Sequence, residues 1–114
     1  MRPTRFYSNR QEKKVAKAVG GKQTANSGAT PFSKGDVRTD LFLIECKTST
    51  TLKQSFTVKR EWFDKNEEEA FAMGKPYNAI AIDFGDGDNH YIISEELFIR
   101  LQKFLKEEAD DGQS

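Results

Sequence analysis

The chain has 114 residues, and its 18 basic side chains balance 18 acidic ones. That length holds one sheet-and-helix core, no apolar run approaches the ~20 residues that a membrane helix needs, and a single cysteine excludes an internal disulfide framework. The balance hides a division: residues 1–60 carry 13 basic side chains against four acidic ones, a net of +9, and residues 61–114 carry five against fourteen, a net of −9. A basic half of this kind points to a polyanionic partner. The lone cysteine fits a reducing compartment, and the basic amino terminus lacks the apolar run of a signal peptide, so a cytoplasmic location is expected. One domain over residues 1–108 is predicted, with a basic, aromatic-bearing arm at 1–8 and a flexible acidic tail at 109–114.

A first helix is predicted over residues 9–19. Glu12, Val15, Ala16 and Val19 fall on one face at helical spacing, and Arg10, Lys13, Lys14 and Lys17 form an adjoining basic stripe. Gly20-Gly21 stops it. Glu12 is the odd member of the face that should pack on a sheet, because a carboxylate there requires a cation or donor. Residues 23–26 read as a short strand and residues 27–31 as a loop broken by Gly28 and Pro31. Residues 36–38 and 41–48 read as successive strands with a turn near Thr39-Asp40. A short edge segment at 55–58 and a helix over 59–73 follow, the helix ended by Gly74 and Pro76. Strands at 77–84 and 90–93 are joined by the turn Gly85-Asp86-Gly87-Asp88. Ser94 caps a last helix whose Leu97, Phe98, Leu101, Phe104 and Leu105 make a stripe that is either core or a dimer surface. The expected fold is α/β or α+β: a mixed central sheet flanked by helices, in the order α-β-β-β-(β)-α-β-β-α.

The chemistry concentrates between Gly35 and Lys47. Asp36 opens one strand, and Leu41, Phe42, Leu43 and Ile44 lead to Glu45-Cys46-Lys47 in the next. Strand alternation puts Glu45 and Lys47 on one face and Cys46 on the other. Carboxylates converging on a hard divalent cation beside an ammonium group are what metal-assisted phosphodiester hydrolysis uses. The tripeptide E-x-K is common, and Glu12-Lys13-Lys14 repeats it in this chain. Its context distinguishes the second copy: a Gly-Asp pair stands before it, with an apolar strand between. Asp40, closer in sequence to Glu45, is a rival to Asp36 as ligand. Arg10, Lys13, Lys14, Lys17, Lys34, Arg38, Lys59 and Arg60 are candidates to neutralise phosphates, and Ser27 to donate to one. Asp83, Asp86 and Asp88 lack the spacing of a calcium loop and read as a hairpin turn.

These residues resemble the PD-(D/E)xK nuclease superfamily, and within it the small archaeal and phage Holliday-junction resolvases. The resemblance runs from about Gln11 to Phe84. It rests on Glu12, Ser27-Gly28-Ala29, Gly35-Asp36-Val37, Ile44-Glu45-Cys46-Lys47, and residues 56–62 leading into a helix. Lys34-Gly35 stands where the family name has a proline. The resemblance implies a restriction-endonuclease-like core and a magnesium site, with manganese as substitute, at Asp36, Glu45 and the Cys46 carbonyl. It also implies that Glu12 completes the acidic site, that Lys47 positions or activates water, and that a homodimer cuts branched DNA in the cytoplasm, the host's if phage-encoded. The alternatives are a nicking, repair or restriction-type nuclease on other DNA, and a non-catalytic DNA-binding module.

Overall fold

The structure, a computed structural model, describes residues 2–24 and 36–112. Eight elements follow in chain order: α1 (Thr4–Val19), β1 (Lys22–Gln23), β2 (Asp36–Arg38), β3 (Phe42–Thr48), α2 (Arg60–Ala72), β4 (Tyr77–Asp83), β5 (Asn89–Ile92) and α3 (Glu95–Asp111). The strands form one five-stranded sheet in the order β1-β2-β3-β4-β5. All neighbours are antiparallel except β3 and β4, which run parallel. The architecture is therefore α+β around a mixed sheet, as the element pattern predicts at that level.

Alternation along the strands decides what each sheet face carries. Val37, Ile44, Ala79 and Ala81 share one face by register. There they form the core cluster with Val15 of α1, and Ala16, Phe42, Cys46 and Ile93 pack around it. Burying Val15, Val37 and Ile44, each at most 3% exposed, contributes about 1.5–3 kcal/mol apiece relative to exposure. The opposite face carries Leu43, Ile80 and Ile82, and α2 lies against it through Asn66 and Ala70, both buried. Asn66 Nδ2 donates to the Leu43 carbonyl (3.4 Å), and its Oδ1 accepts from Asn78 Nδ2 (2.8 Å), so the buried amide is satisfied at both ends. The two long sheet-packing helices thus cover opposite faces.

Several boundaries differ from the sequence reading. Helix α1 begins at Thr4, so the stretch read as an arm is helical from that residue. Its rotation also places Gln11, not Glu12, deepest. Gln11 is 3% exposed, and its Nε2 lies 3.0–3.2 Å from the carbonyls of Lys47 and Ala81 and from Asn89 Oδ1. Val19, expected on the packed face, is exposed. Gly20 ends the helix in the left-handed region (φ 69°), its N–H bonded to the Ala16 carbonyl. Residues 55–58, expected as an edge strand, form none. Phe56 is held by its ring instead, edge-on to Trp62 and Phe84. Helix α3 continues to Asp111, so residues 109–111, expected to be flexible, are helical. The expected cap forms: Ser94 Oγ accepts from the Leu97 N–H at 3.1 Å.

The turn between β4 and β5 is organised by Asp83, whose Oδ1 accepts from the N–H groups of Gly85 (2.7 Å) and Gly87 (3.1 Å). Gly85 has φ 101°, and a Cβ there would stand 2.3 Å from the Thr51 carbonyl oxygen. Only glycine suits that position. The aspartates of this segment build a turn, as their spacing suggested.

Candidate active site

The antiparallel register sets Asp36 of β2 directly opposite Glu45 of β3, on the face that α2 covers. Two residues further along β3 the same alternation delivers Lys47, whose Nζ is 3.5 Å from Glu45 Oε1. The indole of Trp62, in the first turns of α2, lies under this ammonium with its centroid 4.5 Å from Nζ. Lys47 is therefore held between a carboxylate and a π face.

Helix α2 adds a residue that the sequence reading passed over. Glu69 stands one turn beyond Lys65, whose Nζ is 3.8 Å from Glu69 Oε1. Rows i and i+4 on a helix share a face, and with Asn66 and Ala70 buried, Glu69 falls beside the sheet. Asp36, Glu45 and Glu69 consequently act on one another. Burial first, then the Glu45 and Glu69 charges, push the Asp36 carboxyl up to about 8, with Lys65 opposing and Glu12 adding the smallest contribution. Burial also raises Glu69, against the pull of Lys65; a hydrogen bond with Asp36 favours its ionised form. Each of these two carboxyls is thus harder to ionise than an ordinary one, burial being the first cause in both. Two buried oxygens nearby, Glu45 Oε2 and Glu69 Oε1, have no hydrogen-bond partner.

Unsatisfied carboxylate oxygens next to a carboxyl that cannot readily ionise signal a local excess of negative charge. Hard oxygen donors in that condition fit a divalent cation such as magnesium. Among the described residues, no three His, Cys, Asp or Glu groups stand close enough together to hold one. The fit therefore lies in donor chemistry and in the orphaned oxygens. Asp36, Glu45 and Glu69 are the residues that would hold the ion.

The other expected site residues fall elsewhere. Glu12 is half-buried on α1, on the side of the sheet facing Cys46, where its Oε1 accepts from Gln23 Nε2 at 3.4 Å. Burial raises its carboxyl, while Gln23 and Arg5 pull it down. The Cys46 side chain belongs to the apolar face, and burial pushes its thiol far above the ordinary range. Asp40 lies exposed in the turn at the far end of the β2–β3 hairpin, away from Glu45. Its claim as the rival ligand is correspondingly weak.

The basic candidates divide between the two sides. Arg10, Lys13, Lys14 and Lys17 are exposed on α1, the helix on the apolar face. Arg10 lies over the rings of Phe6 and Tyr7, and Lys14 Nζ donates to the Gly87 carbonyl. Arg38 shares its face with Asp36 by alternation, and Lys59 and Arg60 stand at the start of α2, the end that carries Trp62; Arg60 is 4.0 Å from Asp64. Ser27 and Lys34 lie outside the described residues.

No helix among the described residues is long and apolar enough to cross a membrane. Compared with protein-family models, with curated proteins and with solved structures, the chain finds no match.

Proposed function

We propose that this chain is a magnesium-dependent, structure-selective DNA endonuclease that hydrolyses phosphodiester bonds and resolves four-way junctions. The observation that carries the reading is the juxtaposition of Asp36, Glu45 and Glu69, with two buried carboxylate oxygens that accept no hydrogen bond, beside a Lys47 fixed on the same face. The order α1, β2–β3 hairpin, α2, β4 supports a restriction-endonuclease-like core, and the resemblance of Gly35-Asp36 and Glu45-Cys46-Lys47 to the PD-(D/E)xK pattern agrees with it.

In this reading Asp36, Glu45 and Glu69 hold the cation. When bound, that ion supplies Lewis-acid stabilisation of phosphate charge and an activated water. Lys47 places a fixed positive charge where a phosphate oxygen becomes more negative; its confinement between Glu45 and Trp62 lowers the reorganisation needed at that moment. Asp36 holds a proton in the absence of a cation and gives it up when positive charge arrives. Arg38 on the face of Asp36, and Lys59 and Arg60 at the Trp62 end of α2, would neutralise phosphates of a bound backbone, and the α1 stripe extends the basic field around the molecule.

The test is a cleavage panel of four-way junction, flap, nicked and linear duplex DNA, with and without magnesium. Paired symmetric nicks across the junction are expected, lost in Asp36→Asn and Glu45→Gln while junction binding persists. Cutting confined to linear duplex would move the reading to a restriction- or repair-type nuclease. A non-catalytic DNA-binding module would bind junctions without cutting any substrate.

A further inference from the structure

The lone histidine, His90, stands apart from the carboxylates but on the same face of the sheet. Register sets Lys47 of β3 against Ile82 of β4, and Ile82 against His90 of β5, so the three form one row across neighbouring strands. Two strand spacings put the backbone of His90 about 10 Å from that of Lys47. A line of rings connects the two ends. Trp62 lies under the Lys47 ammonium, Phe56 is edge-on to Trp62 (6.3 Å between centroids) and to Phe84 (5.8 Å), and Phe84 is edge-on to His90 (5.8 Å).

Three of these rings have a structural task. The segment after β3 is fastened to the end of β4 by the Ser49 N–H on the Asp83 carbonyl (3.1 Å) and the Lys53 N–H on the Phe84 carbonyl (2.9 Å). Phe56, set between Trp62 and Phe84, completes that attachment. The fourth ring adds nothing to it, because His90 is exposed on the outermost strand. The surroundings are basic: from Cys46 to Arg60 the chain has four basic side chains and no acidic one, and Lys53, Lys59 and Arg60 are exposed. An open ring backed by half-buried rings, among cations that neutralise phosphates, is the combination on which unpaired bases stack.

We propose that His90, backed by Phe84, is a stacking site for one unpaired base of the DNA strand whose phosphate lies at Lys47. The Trp62 face is already taken by Lys47, so the base goes to the open end of the line. A fully paired duplex offers no such base, whereas a strand opened at a branch does, and the site thereby favours branched over linear DNA. The position of the phosphate rests on the nuclease reading; the stacking does not.

Nuclear magnetic resonance of the full chain without magnesium tests it, since one histidine gives isolated ring-proton signals. A short single-stranded oligodeoxyadenylate is expected to shift them upfield, as a base stacked on the imidazole must, and an abasic strand with the same number of phosphates is not. His90→Ala should weaken oligodeoxyadenylate binding at least about 5-fold, the lower end for one stacked base, with unchanged far-UV circular dichroism because the residue is exposed. His90→Phe, which keeps a ring, should retain the affinity. Unmoved signals, an equal shift with the abasic strand, or equal losses in the two variants overturn the proposal, even in a chain that cuts junctions as expected. A chain that shows the upfield shift and cuts no DNA keeps the stacking site and loses the nuclease reading.

Discussion

The two faces of the sheet are built from the same strands and do opposite things. On β2, Asp36 and Val37 are neighbours in sequence; on β3, Ile44, Glu45 and Cys46 are. Val37, Ile44 and Cys46 turn to the dry cluster beneath α1, and Asp36 and Glu45 carry charge beneath α2. Asp36 is as deeply buried as Val37, 2% against 0% exposed, so depth does not distinguish the faces. What differs is charge. The face under α1 leaves one neutral buried oxygen, Gln11 Oε1, without a hydrogen bond, whereas the face under α2 leaves two carboxylate oxygens in that state beside a carboxyl kept from ionising. Burying like charges together costs stability that a cation bound there, as proposed, would return.

The largest expected contrast comes from putting a charge on the wrong face. Ile44→Asp should cost about 4 kcal/mol or more and unfold the chain in urea titrations, while Asp36→Asn, one strand away, should leave it at least as stable as the wild type at neutral pH. Equal destabilisation by both would erase the distinction.

An intermediate effect concerns pH. The Asp36 carboxyl, ordinarily near 3.8, sits near 8 in the fold. Between those values the folded chain keeps a proton that the unfolded chain has lost, so stability should fall as pH rises across that window. Glu69, also raised, acts in the same sense. Thermal melts from pH 4 to 8 should show this decline, reduced in Asp36→Asn and reduced by magnesium in the wild type. A midpoint that holds steady or climbs over that range would remove the case for a repelling carboxylate set.

The smallest effect sharpens the role of the lysine. Trp62→Leu removes the π face under Lys47, worth about 0.5–1 kcal/mol at a partly exposed position. It should slow magnesium-dependent cleavage modestly without changing junction affinity. An unchanged rate would reduce Trp62 to a packing partner of Phe56.

Part of the charged face was legible because strand alternation is a strict rule: Glu45 and Lys47 had to share a side once β3 was recognised, while the choice between Asp36 and Asp40 stayed open until the register set Asp36 opposite Glu45. Glu69 was not legible, since it ends the run Glu67-Glu68-Glu69, and only the helix's rotation decides which of the three meets the sheet. Rotation also misplaced Glu12. A helix read as starting near Asn9, with Val19 on its packed face, turns Glu12 toward the sheet; the longer helix from Thr4 seats Gln11 there instead. The burial of Asn66 and Ala70, bracketing Glu69 by three and one residues, was the available signal, but it becomes visible only when tertiary packing is known. The stripe on α3 was read correctly as a pattern, and no pattern in one chain can say whether its cover comes from the same molecule.

The parallel pairing of β3 with β4 has a consequence for how the molecule assembles. The hairpins β2–β3 and β4–β5 join strands close in sequence and can form locally, but the chain leaves the sheet at Thr48 and returns only at Tyr77. Closing that crossover loop is the step with the greatest entropic barrier. Asp36 and Glu45 arrive together on one hairpin, while Glu69 and Trp62 ride on the crossover. The carboxylates therefore meet only at the step that completes the sheet, so partly folded chains carry the charged residues without the site.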